Sequence, residues 1–99
     1  MKNKKQRKGT MISGLAWYRK SQWDKLLEVS EDSDKLEETF EEWLQGAEEF
    51  VKNFDTPGVV IKKIDIDVKE LIIWCASKNI SVNSASRSLY TAQKVKESH

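Results

Sequence analysis

The stretch Val59–Ile66, VVIKKIDI, constrains the fold most, because it is the clearest strand in the sequence and a strand cannot stand alone. Its β-branched residues and the alternation of Ile with Asp at its end are typical of a strand. A lone strand leaves backbone N–H and C=O groups unpaired. We predict a hairpin-like pairing with Met11–Tyr18, which carries no charge. The alternative is pairing with the same strand of a second subunit, which would make an obligate dimer.

Helical patterns occupy most of the remaining chain. The strongest runs from about Asp34 to Asn53, where apolar residues recur every three or four positions and glutamates fall mainly on the other side. Asp34 followed by Glu37 predicts its N-terminal cap. The turn that begins at Asp55 ends this helix before the strand.

Capping residues predict three further helices. Ser21, Asp67 and Asn83 are typical N-terminal caps, and Asn79 is typical of a left-handed helix terminator. With 99 residues, the chain is long enough for one modest core. We therefore expect a disordered basic tail at 1–10 and one small α+β domain at 11–99. The domain is predicted to be mostly helical, with about four helices and either a minimal two-stranded sheet or a strand paired across a dimer.

The charges are segregated along the chain although the net charge is only +1. Residues 1–23 hold seven bases and no acid, residues 24–55 hold twelve acids and three bases, and residues 56–99 hold seven bases and four acids. Such segregation either cancels within the fold or presents two opposed faces to a partner. The sequence does not decide between these outcomes.

Catalytic groups are scarce. Cys75 is the single cysteine and is expected to be a small buried hydrophobe, while His99, the single histidine, is terminal. Asp65 and Asp67 project from one face of the strand and, with Glu70, are the closest approach to a carboxylate-metal enzyme. Capping and solvation explain these acids better. We predict no catalytic, cofactor-binding or metal-ligating residue and no cofactor, and regard the metal enzyme as a third reading.

Nucleic-acid binding is the second reading, because a lysine-rich arm can neutralise phosphates without reading sequence. The aromatic residues that follow the arm could stack on bases. Against this reading, the domain is not basic overall and the long helix is acidic. The candidate nucleic-acid residues are Lys2, Lys4, Lys5, Arg7, Lys8, Arg19 and Lys20.

A protein partner is the first reading, because nine aromatic residues in a chain of 99 include four tryptophans. Trp23 lies on the apolar face of a short helix and is expected in the core. Trp17 and Tyr18 are adjacent in a strand, so they must point to opposite faces and one of them is expected to be exposed. Arg87 and Tyr90 share a helix face, where they either bind a partner or tie the last helix to the acidic one. The candidate partner-binding residues are Trp17, Tyr18, Arg87 and Tyr90.

The order of these features resembles a group of small prokaryotic proteins with no assigned activity. Such proteins tend to begin near the Trp17–Tyr18 pair, so the resemblance implies that the lysine-rich start is an extension. The residues that carry the pattern are Trp17, Tyr18, Trp23, Leu26, Leu27, Ser30, Leu36, Glu37, Glu42, Trp43, Asp65, Asp67, Leu71, Trp74, Cys75, Arg87 and Tyr90.

The sequence therefore favours a non-catalytic interaction or accessory protein that binds another protein or itself. No apolar run approaches the ~20 residues of a membrane span, and the basic start lacks the apolar segment of a signal peptide. The single cysteine fits a reducing compartment. We expect a cytosolic protein with no membrane partner.

Overall fold

Two strands and four α-helices make up residues 10–97, which are the residues that the structure, a computed structural model, describes. The strands are β1 (Met11–Tyr18) and β2 (Val59–Ile66). The helices are α1 (Trp23–Val29), α2 (Phe40–Asn53), α3 (Val68–Ser77) and α4 (Ser84–Glu97). The predicted α+β, mostly helical class with a minimal two-stranded sheet is confirmed. The predicted disordered tail lies outside the described residues, apart from Thr10.

β1 and β2 pair in parallel, from Met11 opposite Val59 to Tyr18 opposite Ile66. The predicted partner strand is correct, but the hairpin-like direction is wrong. A hairpin needs a short turn, whereas the chain between these strands forms α1 and α2 and crosses back to the start of the sheet. Pairing within the chain also supplies the partner that β2 needs without a second subunit.

Two predicted helix starts are displaced. α2 begins at Phe40, and its cap is Thr39, whose Oγ1 accepts a hydrogen bond from the Glu42 amide at 3.1 Å. Asp34 lies instead in the short 3₁₀ helix Ser33–Lys35. Thr39 and Glu42 form a second S/T-x-x-E pattern, and this one starts the helix. Ser21 likewise lies in the 3₁₀ helix Lys20–Gln22 before α1.

The other local predictions are confirmed. The Asp67 side chain accepts a hydrogen bond from the Lys69 amide at 3.0 Å and caps α3. Asn83 Oδ1 accepts one from the Ser86 amide at 3.1 Å at the start of α4. Asn79 has a φ of 58°, in the left-handed region, and follows α3.

The core lies between α1, α3, α4 and one face of the sheet. Trp23 is 1% exposed, which confirms it as a core residue, and Cys75 is buried as expected. The largest fully buried side chains are Trp23, Leu26, Ile66, Leu71, Val68 and Cys75. α2 contributes no fully buried residue. None of the helices within residues 10–97 combines the length and the apolar character that crossing a membrane requires.

α4 crosses close above β1. A Cβ added to Gly14 would clash with Val95 Cγ2 and lie 3.3 Å from Thr91 Cγ2, so a larger residue here would force Val95 or α4 to shift. Because α4 runs from Arg87, beside Tyr18, to Val95, over Gly14, it is antiparallel to β1. This crossing positions the candidate site.

Candidate functional site

The acidic pair predicted for the third reading is occupied by a cation of the chain itself. Arg19 Nη2 lies 2.6 Å from Asp65 Oδ2, and its Nη1 lies 3.8 Å from Asp67 Oδ2. The Arg19 guanidinium holds the pKa of Asp65 below its usual value, and the hydrogen bond from Gln22 Nε2 does the same for Asp67. Within residues 10–97, no group of three or more His, Cys, Asp or Glu side chains is placed to hold a metal ion.

The basic residues of the second reading divide into two sets. Arg19 is paired with the two aspartates, and Lys20 Nζ lies 2.8 Å from Glu41 Oε2 on α2. Arg19 and Lys20, which follow β1, are therefore paired with acidic residues of the protein itself. The five basic residues between Lys2 and Lys8 lie outside the described residues.

Trp17 and Tyr18 separate as the strand geometry requires. The Tyr18 side chain is buried, and Trp17 is half-buried on the opposite face. Lys63 Nζ lies 4.4 Å from the centroid of the Trp17 ring, and the Trp43 ring packs edge-on against it at 5.3 Å. Burial raises the pKa of the Tyr18 hydroxyl, against the opposing effect of the neighbouring Arg87. Both rings nevertheless pack against Trp43, whose ring centroid lies 5.3 Å from each of theirs.

Arg87 forms a bidentate ion pair inside the protein. Its Nη1 and Nη2 each lie 2.9 Å from an Asp32 carboxylate oxygen, and only 10% of its side chain is exposed. Arg87 thus ties α4 to the loop after α1, rather than to the acidic helix that the sequence suggested. Tyr90 is also buried, with its ring 5.2 Å from Trp74.

The outer edge of β1 is open within the described part of the chain. The Met11 amide donates to the Gly58 carbonyl, so Met11 and every second residue after it point their backbone groups at β2. Ile12, Gly14 and Ala16 therefore point theirs away from the sheet. No hydrogen bond joins these outward groups to any residue between 10 and 97.

A groove of about 500 Å³ lies along this open edge. Its floor is the face of β1 that carries Ile12, Gly14, Ala16 and the buried Tyr18. Its wall is α4, where Ser84, Ser88 and Ala92 recur every four residues and so share one helix face. These three residues are small, and the larger Arg87, Thr91, Val95 and Lys96 line the rest of the wall.

The two edges of the sheet differ in charge. β2 carries Lys62, Lys63 and Asp65, and charged side chains are the usual protection of an edge strand against unwanted pairing. β1, MISGLAWY, carries none, although 33% of the whole chain is charged. Met11 is 63% exposed and Ile12 is 39% exposed. β1 therefore lacks the protection that its neighbour has.

Family models, curated proteins and solved structures give no match to this chain. The resemblance drawn from the sequence pattern therefore stays a prediction.

Sequence reasoning did not single out the groove residues of α4 or the outward groups of β1. The absence of charge from Met11–Tyr18 is the signal in the sequence that indicates this edge. The groove itself depends on the close crossing of α4 at Gly14, which no local pattern encodes.

Proposed function

We propose that this protein is a non-catalytic cytosolic interaction module that binds an extended segment of another polypeptide. The segment adds as a third strand to the open edge of β1, beneath α4. The observation that carries the proposal is the unpaired, charge-free edge of β1 at the groove. The buried free thiol of Cys75 suits a reducing compartment.

The spacing of the free backbone groups favours an extended ligand. Ile12, Gly14 and Ala16 each offer one N–H and one C=O, and alternate residues of a strand are about 6.6–6.8 Å apart. An extended polypeptide presents donors and acceptors at the same spacing, as in other cases of strand addition. Each hydrogen bond gained contributes about 0.5–1.5 kcal/mol net. The ladder supplies affinity, and the α4 wall selects side chains.

A different chain fits this edge better than a second copy. Closed two-fold pairing of β1 with β1 must be antiparallel, which places both α4 helices on the same face of the joined sheet. Each α4 passes close above its own Gly14, whereas paired strands lie only about 4.8 Å apart. Packed helices keep about 8–10 Å between their axes, so the two α4 helices would clash. A peptide without a helix of its own avoids this conflict.

Selection from a phage-displayed library of random 16-residue peptides tests the proposal. Peptides enriched on the full chain should bind the Ile12→Pro variant about tenfold more weakly, because proline removes an outward N–H and places its ring on the edge. Ile12→Val keeps the N–H and most of the side chain, so its binding should match the wild type.

Two results would overturn the proposal. One is a set of selected peptides that binds Ile12→Pro and wild type equally. The other is a dimer in sedimentation equilibrium that Ile12→Pro dissociates and Ile12→Val does not, since that result would make a second copy the occupant.

A further inference from the structure

The floor of the groove has a low stretch in its middle. The side chains of β1 that face the groove belong to Ile12, Gly14, Ala16 and Tyr18. A glycine and an alanine therefore lie between two large side chains. Alternate residues of a strand are about 6.6–6.8 Å apart, so the low stretch is long enough to hold a side chain of a neighbouring strand.

α4 occupies the Gly14 part of this low stretch. Val95 and Thr91 approach Gly14 so closely that a Cβ there would clash with Val95 Cγ2 and lie 3.3 Å from Thr91 Cγ2. Little room is left above Gly14 for a side chain of a ligand.

The Ala16 part is different. α4 is beside Tyr18 at Arg87 and above Gly14 at Thr91, so the turn between Arg87 and Thr91 passes Ala16. On this turn Ser88 is exposed and lines the groove. The floor and the wall thus both carry small side chains at this point, and we name the space between Ala16 and Ser88 the anchor subsite.

The polar groups around the anchor subsite already have partners in the protein. Arg87 Nη1 and Nη2 each lie 2.9 Å from an Asp32 oxygen, and Thr91 Oγ1 donates to the Arg87 carbonyl at 2.8 Å. A serine hydroxyl on a helix can donate to the carbonyl four residues before it when water leaves. An apolar side chain in the subsite therefore strands no buried polar group, and it gains from leaving water.

From this shape we infer that the ligand carries one large apolar side chain, such as Leu, Ile, Met or Phe, that enters the anchor subsite between Ala16 and Ser88. The ladder to β1 supplies affinity for any extended segment, and this anchor residue makes the groove selective among them. The inference rests on the proposed function and deepens it, because it names the class of residue that the partner must contain.

An alanine scan tests the inference. Each residue of a library-selected peptide is changed to alanine in turn, and binding to the full chain is measured by fluorescence polarisation. Loss of the anchor should weaken binding about tenfold, as expected for most of a buried leucine side chain. The other positions should each change binding by less than about fivefold. Aspartate at the anchor position should bind no better than alanine.

A variant that fills the subsite places the anchor. In Ser88→Leu the new side chain occupies the space from the wall, so the advantage of the leucine anchor over alanine should fall from about tenfold to about twofold or less. Gln93→Leu is the matched control, because Gln93 is exposed on the same helix and does not line the groove. It should keep the tenfold advantage, and calorimetry should show that both variants remain folded.

The outcomes separate the inference from the proposed function. A flat alanine scan, with binding still lost in Ile12→Pro, would overturn the anchor and leave strand addition intact. An anchor advantage that is equal in Ser88→Leu and the wild type, or lost equally in Gln93→Leu, would overturn its place at Ser88. A preference for serine or aspartate over leucine would overturn its apolar class. Peptide binding that survives Ile12→Pro would overturn the proposed function itself.

Discussion

Proline substitutions at neighbouring positions of β1 should have opposite consequences for stability, without any ligand. The register places the Ser13 N–H against the Val60 carbonyl, whereas the Ile12 N–H points away from the sheet. Ser13→Pro therefore removes a ladder hydrogen bond and leaves the Val60 carbonyl unsatisfied, at a cost of about 1–3 kcal/mol. Ile12→Pro removes an N–H that has no partner among the described residues, and proline is tolerated on an edge in that orientation.

Valine provides the control at both sites, because it is β-branched and close to proline in size. Relative to Ser13→Val, we expect Ser13→Pro to lower the melting temperature by about 4–24 °C, since each kcal/mol shifts it by about 4–8 °C in a domain of this size. Ile12→Pro should stay within about 0.5 kcal/mol of Ile12→Val. Thermal unfolding followed by tryptophan fluorescence measures the melting temperature, and urea unfolding measures the free energy difference. Equal losses of stability in Ser13→Pro and Ile12→Pro would refute the assignment of the outer edge. A loss of stability confined to Ile12→Pro would mean that the Ile12 N–H faces β2 and the Ser13 N–H faces outward.

Three further predictions follow from single contacts. Asp32→Asn should lower the free energy of unfolding by about 1.5–3 kcal/mol near neutral pH, because it breaks a charge-assisted pair with Arg87. Arg87 holds the pKa of Asp32 below its ordinary 3.8. The stabilisation by this pair should therefore be complete above about pH 4 and fade as the pH falls through the lowered pKa. A gap between variant and wild type that persists unchanged at pH 2 would contradict this. Gly14→Ala should destabilise the protein by about 1–3 kcal/mol through the clash with Val95, and adding Val95→Ala should restore the lost stability. Gly46→Ala is the control and should stabilise the protein by about 0.5–1 kcal/mol, because nothing lies within 4 Å of a Cβ at that position. Identical effects of the two glycine changes in calorimetry would count against the close crossing. Titration with Mg²⁺, Mn²⁺ or Ca²⁺ should leave the melting temperature unchanged because Arg19 already neutralises Asp65; a saturable rise that Asp65→Asn abolishes would restore the metal reading.

The elements that sequence reasoning located are those whose signals are local. Asp67 and Asn83 cap α3 and α4 through backbone groups two or three residues away, and Trp23 faces the core because of its spacing from Leu26. The start of α2 was misplaced because two capping patterns compete, and Thr39 prevails over Asp34. Local patterns indicate that a residue can cap a helix, but they do not rank the candidates.

The candidate site depends on contacts that are distant in sequence. The uncharged character of β1 is visible in the sequence, but its direction relative to β2 follows from how the intervening helices pack. The groove arises where Val95 approaches Gly14. Arg87 was recognised as a candidate anchor, yet its partner Asp32 lies in a loop that carries no periodic signal.

Parallel pairing of two strands so far apart in the chain has a consequence during synthesis. β1 leaves the ribosome first, and its partner is complete only when Ile66 has followed it, which takes about 2–10 s at about 5–20 residues per second. During that interval an uncharged strand with two open edges is exposed to other nascent chains. The five bases just before β1 are of the kind that flank aggregation-prone segments as gatekeepers, because like charges repel one another. We therefore expect a chain without those charges to aggregate more during expression.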